Sequence, residues 1–347
     1  MPSPFKRNVI ILPLLATAAF FLFGAAALGS PKPTEPTDAN PAVVRLGLDI
    51  RNLTAIDEVK ENWQFNGLLV AKWSQPSLKY RPRGHGHLYR DLPATIWKPT
   101  FEFTNEVTPT HFRFVDFYAR PDGTVVYIQA FNATLSNNLD LRRFPFDYQL
   151  LPLVVQAEGD DIDRTILKAD PGDSAFPDRP YAGLAQWVPV SLTVQLSTVE
   201  GNASRATEVE FRLKVQRNPK SYIWKFIVPL LLLVIISWVT FWLSHEEFKT
   251  KDQLQSAVAT LLIIVAFNIT ATSLLPRTDY VTYIDALLFS SFIFVVISIA
   301  TIVGTHLLQI NYSQERALTV RKLAGILLPL SFIVTQALLF IGFRVAG

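Results

Sequence analysis

Residues 252–275 read DQLQSAVATLLIIVAFNITATSLL, a segment long enough to cross a lipid bilayer as an α-helix. With about 100° of rotation per residue, one face of this helix is small or polar at both ends and carries a leucine in the middle. This face, called the stripe below, consists of Gln255, Ala259, Leu262, Ala266, Ile269 and Ser273, with Asp252 at its inner edge. Such a face is typical of a helix that lines a water-filled path through an oligomer. It also occurs on buried helices of membrane bundles, where Ser, Thr and Asn side chains bond to neighbouring helices.

Three further apolar segments accompany this one in the C-terminal part of the chain. The predicted membrane spans are 223–243, 253–275, 281–308 and 323–343. Pro229 lies inside the first span and Pro329 inside the fourth. A proline within a helix leaves a backbone carbonyl without its usual donor, so we expect neighbouring helices to cover these carbonyls.

The N-terminal sequence predicts that an exported domain precedes these spans. Lys6 and Arg7 precede an apolar run that ends in small residues, which is typical of a secretory signal peptide over residues 1–30. An uncleaved membrane anchor is the alternative. Residues 31–41 are rich in proline and threonine and are expected to form a linker. The connectors that would then face the cytoplasm carry five Lys or Arg, and the outer link carries one, in agreement with the positive-inside rule.

Residues 42–219 are expected to form an all-β, immunoglobulin-like sandwich outside the membrane. Strand-like runs alternate with turn signals, and the clearest alternation is EFRLKV at 210–215. The sequence PDG at 121–123 predicts a tight hairpin. The predicted strands are 43–50, 63–73, 112–118, 124–134, 148–156, 188–198 and 207–216. Their number and spacing favour an antiparallel sandwich, followed by a four-helix transmembrane bundle over 220–347.

Composition and motifs exclude several classes of function. The net charge is only +3 and no block of Lys or Arg stands out, so nucleic-acid binding has no support. There is no cysteine, which removes disulfides and thiolate chemistry. No nucleophile elbow, phosphate-binding loop or HExxH motif occurs, so we expect neither an enzyme nor a cofactor. His85 and His87 lie two residues apart in a loop and are expected to be solvated rather than to bind a metal.

Residues 137–149, NNLDLRRFPFDYQ, form a loop that combines charges with two aromatic residues around a proline. The bond between Phe144 and Pro145 is a candidate cis peptide. At a domain end, Phe144 and Phe146 would dock into an apolar partner. A hairpin with a partly buried turn is an equally good interpretation.

Together these pieces resemble the pentameric ligand-gated ion channels in their prokaryotic form. The resemblance covers about residues 43–343 and rests mainly on FPFD at 144–147 followed by four spans in this order. Further matching pieces are Trp97-Lys98-Pro99, the hairpin at 121–125, Arg217 before the first span, Pro229 within it and Pro276 after the second. The resemblance implies an extracellular sandwich, a pore lined by the second helix of five subunits, and ligand sites between subunits.

The resemblance also implies where the two domains are coupled. The FPFD loop and the turn after the first strand would press on the link between the second and third spans. Glu58 is expected to pair with Arg217 at this junction, and Asp147 to join them. Such a cluster would be either coupled and pH-sensitive or a static ion pair. The expected coupling residues are Glu58, Phe144, Pro145, Phe146, Asp147, Arg217 and Pro276.

The sequence departs from the family pattern in two places. One concerns the closure of the loop that contains FPFD, and the other concerns ion selectivity. Asn137 and Leu151 stand where animal members have the cysteines of a disulfide. Lys251 and Asp252 stand where anion-selective members carry a Pro-Ala pair. A ring of Asp252 carboxylates would favour cations, and Lys251 would oppose it.

The activator is left open between protons and a small molecule. Ile264 stands where a proton-gated member of the family has a histidine, while Glu61 matches that member's acidic sensor region. An amine box is poorly supported, because the loop that would cap it has no aromatic residue. The aromatic residues that could still contribute to a ligand site are Phe101, Tyr127, Phe176 and Tyr181.

The sequence therefore predicts a homopentameric channel for monovalent cations in the inner or plasma membrane, in contact with its lipids. Leu262 is the expected hydrophobic gate, with Ala266 and Ile269 above it, and it would close by dewetting. Asp252 and Gln255 would set the narrow, ion-discriminating end. The alternatives are an anion-selective channel of the same fold and a non-conducting, membrane-anchored sensor of small molecules.

Overall fold

A computed structural model describes most of the chain. The described residues are 35–81, 90–92, 95–176, 186–200, 205–242, 250–273 and 278–346. In them a β-sandwich precedes a bundle of four long helices, which confirms the predicted fold class. The predicted signal peptide, His85 and His87 lie outside the described residues.

The sandwich consists of two sheets. The strands, in chain order, are β1 (Ala42–Asp57), β2 (Asn62–Ser74), β3 (Arg90–Asp91), β4 (Phe101–Phe103), β5 (Arg113–Ala119), β6 (Thr124–Ser136), β7 (Tyr148–Ala157), β8 (Thr165–Ala169), β9 (Trp187–Glu200) and β10 (Arg205–Arg217). One sheet has the order β3-β5-β6-β2-β1-β8 and the other the order β4-β7-β10-β9. All neighbouring strands are antiparallel except β1 and β8, which run parallel.

Alternation along the strands places one apolar row of each sheet in a shared core. Leu46 and Leu48 of β1 and Leu151 and Leu153 of β7 are fully buried in it. This inward row is what the period of two in the sequence predicts. The predicted hairpin connects β5 to β6, and Gly123 has a φ of +85°, a conformation that favours glycine.

The predicted strands differ from the observed ones where alternation gives no signal. Strands β3, β4 and β8 are too short to show a period, and the short helix α1 (Asp161–Arg164) was not expected at all. Strand β1 runs on to Asp57, well past the predicted end at residue 50. Bulges after Ile50 and Leu53 shift its register, so the alternation of apolar residues breaks although the pairing continues.

Within the described part of the chain, four helices are long and apolar enough to cross a membrane, as predicted. The helical segments are α2 (Lys220–Tyr222), a π-helical turn (Ile223–Ile227), α3 (Val228–Trp242), α4 (Thr250–Ser273), α5 (Tyr283–Asn311) and α6 (Gln314–Ala346). Helix α6 begins well before the predicted residue 323. The apolar criterion marks only the part of a helix suited to lipid, whereas the first turns of α6 are polar.

Each of the two prolines leaves one helix carbonyl without its usual backbone donor, and the local structure differs at the two sites. The π-helical turn lies just ahead of Pro229, where the regular bonding pattern of the helix is lost. Pro329 cannot donate to the carbonyl of Gly325, one turn earlier in α6. The indole N–H of Trp242 at the end of α3 donates to that carbonyl at 3.0 Å. Nearby, the Arg321 Nε donates to the Phe241 carbonyl at the end of α3, at 3.2 Å.

Gly325 is predicted to be required for the bond from Trp242. A Cβ at this position would lie 2.7 Å from the indole nitrogen, whereas a Cβ at Gly342 of the same helix would meet nothing within 4 Å. Alanine favours a helix over glycine at both sites. We therefore expect Gly325→Ala to lower the thermal unfolding midpoint of the purified protein and Gly342→Ala to maintain or raise it. The difference should correspond to about 1–3 kcal/mol, and equal midpoints would contradict the assignment.

Candidate functional site

The guanidinium of Arg217 lies at the end of β10, where the sandwich meets the helices. Its Nε donates to Asp147 Oδ1 at 2.7 Å and its Nη2 to Asp147 Oδ2 at 3.2 Å. Its Nη1 donates to Glu58 Oε1 at 2.6 Å. The Arg217 side chain is fully buried, and its partners come from two separate turns of the sandwich. The structure thus brings together the three charged residues that were expected at the junction.

Aromatic rings enclose this cluster, called the Arg217 cluster below and defined as Arg217, Asp147 and Glu58. The guanidinium carbon lies 4.1 Å from the ring centroid of Trp187 and 4.7 Å from that of Phe144. Burial opposes the charge of Arg217, but the two carboxylates outweigh it, Asp147 more than Glu58, and raise its pKa. Arg217 is therefore held as a cation, and both acids contribute to this.

The loop between β6 and β7 docks against the helices, as the first of the two sequence interpretations proposed. The Phe144–Pro145 peptide is cis, and Phe144 is buried. The ring of Phe146 lies 5.8 Å from that of Tyr283 in α5 and 5.7 Å from that of Phe340 in α6. The loop therefore touches two helices through a single aromatic side chain.

Tyr280 in the link between α4 and α5 fastens that link to the same loop. Its hydroxyl accepts a hydrogen bond from the Leu141 N–H at 2.9 Å and donates to the Leu139 carbonyl at 3.2 Å. The N–H of Tyr283 donates to the Arg142 carbonyl at 2.9 Å. Sequence reasoning missed Tyr280, although an aromatic residue in a short polar link was the available signal. Pro276, which was expected in this contact, lies outside the described residues.

The stripe of α4 faces away from the helices of its own chain. Leu262 is 64% exposed and Ile269 67% exposed in the single chain. Gln255, Ala259 and Ala266, as well as Asp252 and Lys251 at the inner end, are also exposed. The opposite face, which packs towards α3 and α5, is buried at Gln253, Ala257, Thr260 and Ile264. The side chain of Ser273 lies outside the described residues.

Comparison with known proteins identifies the family. The sequence profile of the neurotransmitter-gated ion-channel ligand binding domain matches residues 31–219, more than half of the chain. The profile of the neurotransmitter-gated ion-channel transmembrane region matches residues 226–325. This chain belongs to the pentameric ligand-gated ion channels. It is accordingly a multi-pass membrane protein with an extracellular sandwich, and it belongs to a family of channels rather than enzymes.

Individual relatives agree with this assignment. A proton-gated ion channel of Gloeobacter violaceus is 28% identical over 317 residues, which are 90% of this chain and 87% of the relative. The gamma-aminobutyric acid receptor subunit beta-4 of Gallus gallus is 25% identical over 75% of this chain and 54% of its own length. The gamma-aminobutyric acid receptor subunit pi of Rattus norvegicus is 26% identical over 74% of this chain and 59% of its own length. The chain thus spans little more than half of these receptor subunits.

The aromatic residues expected at a ligand site of this channel are not gathered on its surface. Phe101 is 3% exposed and Tyr127 6% exposed, and both belong to the core of the sandwich. Both occupy inward positions of their strands, and their contact with a ligand stays a prediction. The ammonium of Lys98 already lies 5.9 Å from the ring centroid of Tyr127. Phe176 is half-buried against the same core, and Tyr181 lies outside the described residues.

A cavity of about 290 Å³ opens at the channel's domain junction, beside Arg217, Phe146 and Tyr283. The end of α6 forms part of its wall through Phe340. The Nη2 of Arg143 in the β6–β7 loop donates to the Arg344 carbonyl in the last turn of α6, at 2.9 Å. Helix α6 is therefore bonded to the extracellular domain as well as packed in its own bundle.

The stability of this junction is predicted to depend on the charge of Arg217. Arg217→Gln leaves the buried Asp147 carboxylate without its cation, which should cost about 3–5 kcal/mol. Arg212→Gln on the same strand is the matched control. Arg212 also pairs with a carboxylate, Glu210, at 2.7 Å, but its side chain is 35% exposed, so the loss should be about 0–1 kcal/mol. Thermal unfolding of the purified proteins measures both, and equal losses would contradict a special role for Arg217.

Proposed function

We propose that five copies of this chain form a cation-selective channel whose pore is lined by the stripe of α4. The burial pattern of that helix carries the proposal. One face of α4 is buried by contacts within the subunit, and the stripe lies on the part of the helix that remains exposed. The centre of the stripe at Leu262 and its outer end at Ile269 are more exposed than the neighbouring Ile263 and Val265. Polar and small side chains such as Gln255 and Ala259 gain nothing from lipid, whereas they suit a water-filled axis. An axis of this kind requires several copies of the helix, in keeping with the pentameric family.

The gate of the proposed channel is a ring of Leu262 side chains. A narrow ring of leucines repels water, so the column of water breaks there and ions stop without a plug. Ala266 and Ile269 lie one and two turns further out on the same stripe. A small outward rotation of α4 would replace Leu262 on the axis by a neighbour and rewet the pore.

The inner end of the stripe would select the ion. Asp252 and Gln255 present oxygen atoms there, and a ring of carboxylates attracts cations. Lys251 beside Asp252 is exposed as well and would oppose that field if it faced the axis. Cation selectivity therefore requires Lys251 to point into the cytoplasm, and an anion-selective channel is the outcome if it does not.

The signal would reach the gate through the Arg217 cluster. Asp147 is fully buried and receives two hydrogen bonds from Arg217, whereas Glu58 receives one and its side chain is 23% exposed. Glu58 is therefore the partner that water, a proton or a nearby ligand can reach. Neutralising or moving Glu58 would free the turn after β1, while Arg217 stays bonded to Asp147.

Protons or a small molecule would supply this signal. The proton-gated relative from Gloeobacter violaceus supports a proton. The family's ligand binding domain supports a small molecule equally. Current recordings across a pH series and a panel of small molecules separate the two.

Replacing the proposed gate should make the channel easier to open. Leu262→Thr gives the constriction hydroxyl groups that hold water, so we expect resting current or half-activation at an order of ten-fold lower stimulus, about 1.4 kcal/mol. Ile263→Thr is the matched control, since Ile263 is 50% exposed but lies off the stripe. Recording from reconstituted protein measures both. The gate is misassigned if the two variants behave alike.

Selectivity is tested by the reversal potential of reconstituted channels in a salt gradient. We expect it to lie near the potential of the cation, and Asp252→Asn to move it towards that of chloride. A wild-type reversal potential equal to that of chloride would contradict cation selectivity and favour the anion-selective alternative. Absence of any current, together with tolerance of a charged residue at Ala259, would instead favour the non-conducting sensor.

A further inference from the structure

Gln149, the second residue of β7, is buried and uses its side-chain amide fully. Its Oε1 accepts a hydrogen bond from the Asp140 N–H at 3.1 Å, and its Nε2 donates to the Asp140 carbonyl at 2.7 Å. The same Nε2 donates to Asp147 Oδ2 at 2.6 Å. These three bonds, called the Gln149 bridge below, join the start of the β6–β7 loop to its end and to the Arg217 cluster.

A second amide closes the stem of the same loop. The Nδ2 of Asn105 donates to the Ser136 carbonyl at 3.2 Å and to the Pro152 carbonyl at 3.0 Å, so it connects the end of β6 to β7. The chain contains no cysteine that could close this loop covalently. Two amide side chains therefore hold together a loop that must keep its shape while it contacts two helices.

We propose that Gln149 is a positioning residue of the gating machinery, which closes the β6–β7 loop and holds the Asp147 carboxylate in place for Arg217. This inference rests on the proposed role of the Arg217 cluster in gating. Without the bridge, the Asp147 carboxylate would lose its only bond to the loop's own framework among the described contacts, and a rotation of its side chain would separate it from Arg217.

An amide is suited to this task for two reasons. It carries a donor and an acceptor in one plane, so it pairs with the N–H and carbonyl of Asp140 as a neighbouring strand would. It is also neutral at every pH, so its bond to Asp147 is never lost by its own titration. The charged groups around it are Asp147 and, beyond it, Arg217 and Glu58, while the Asp140 carboxylate turns outward to Arg142 at 2.6 Å.

The pH dependence of the Gln149→Glu variant tests the bridge. When the introduced carboxylic acid is protonated it can donate to Asp147 as the amide does, whereas its ionised form meets a second carboxylate. Burial and the charge of Asp147 should raise the pKa of the introduced acid above the usual value of about 4.3. The stability of the variant should therefore be closest to that of the wild type at acid pH, where one of the two donated bonds is kept, and should be lost as the pH rises through the raised pKa. Thermal unfolding of the full-length protein between about pH 4 and 8 measures this.

Two controls make the result specific. Gln149→Asn keeps a neutral amide that is too short to reach all three partners, so its loss should be the same at every pH. Gln64→Glu adds a carboxylate at an exposed site of β2, opposite the uncharged Ala55 and Thr134 of the neighbouring strands, and should follow the wild type throughout. If Gln149→Glu is destabilised equally at all pH values, or not at all, the bridge is wrong and the channel proposal is unaffected.

The effect on gating is measured in a separate experiment. Current recordings from the same variants give the stimulus needed for half-maximal current. Loss of a buried hydrogen bond to a carboxylate should shift it by about 10- to 100-fold in Gln149→Asn. The same shift should appear in Gln149→Glu only where the introduced acid is ionised. A pH-dependent loss of stability with unchanged activation would keep the bridge but overturn its role in gating, together with the proposed role of the Arg217 cluster.

Discussion

The junction between the two domains depends on one buried cation. The guanidinium of Arg217 has no access to water, and burying a charge without a counter-charge costs several kcal/mol, about 3–5 when a partner is removed. Its carboxylates come from the turn after β1 and from the loop after β6, which are far apart in sequence. Both segments must therefore meet at the end of β10 before the chain enters the membrane. The rings of Phe144 and Trp187 lie around the same charge.

Different forces hold the two halves of the molecule together. The sandwich buries a continuous apolar core, and this core extends into the membrane half through Ile284 of α5. Between membrane helices, apolar contact gives little preference over lipid, so specific polar bonds matter more. Helix α6 accordingly bonds to α3 through Trp242 and to α5 through Gln336, whose amide donates to Ser290 Oγ at 2.8 Å. Proline in α6 creates one of these bonding sites by freeing the carbonyl of Gly325.

Sequence periodicity predicted the regular elements, namely the long strands and the membrane helices. It did not predict the individual contacts between them. Alternation in 210–215 gave the inward row of β10, and apolar length gave all four spans. The contacts of Tyr280 and Gln149 arise once each. An aromatic residue in a short polar link marked Tyr280 as unusual, but no repeating pattern identified the partners of either residue. Tyr127 was named as a candidate ligand contact for its aromatic character, without regard to its inward position on β6. Glu58 and Arg217 were found only because a family resemblance paired them.

The two partners of Arg217 differ in a way that fixes what can move in the proposed channel. If both acids left together, the guanidinium would be buried without a counter-charge, so one of them must stay. Asp147 is the one that stays, because it has two bonds from Arg217 and a third from Gln149. The β6–β7 loop, bonded in addition to Tyr280 and α5, then remains one body with the helices. Movement on activation is left to the turn that carries Glu58, which is where a signal from the sandwich would have to act.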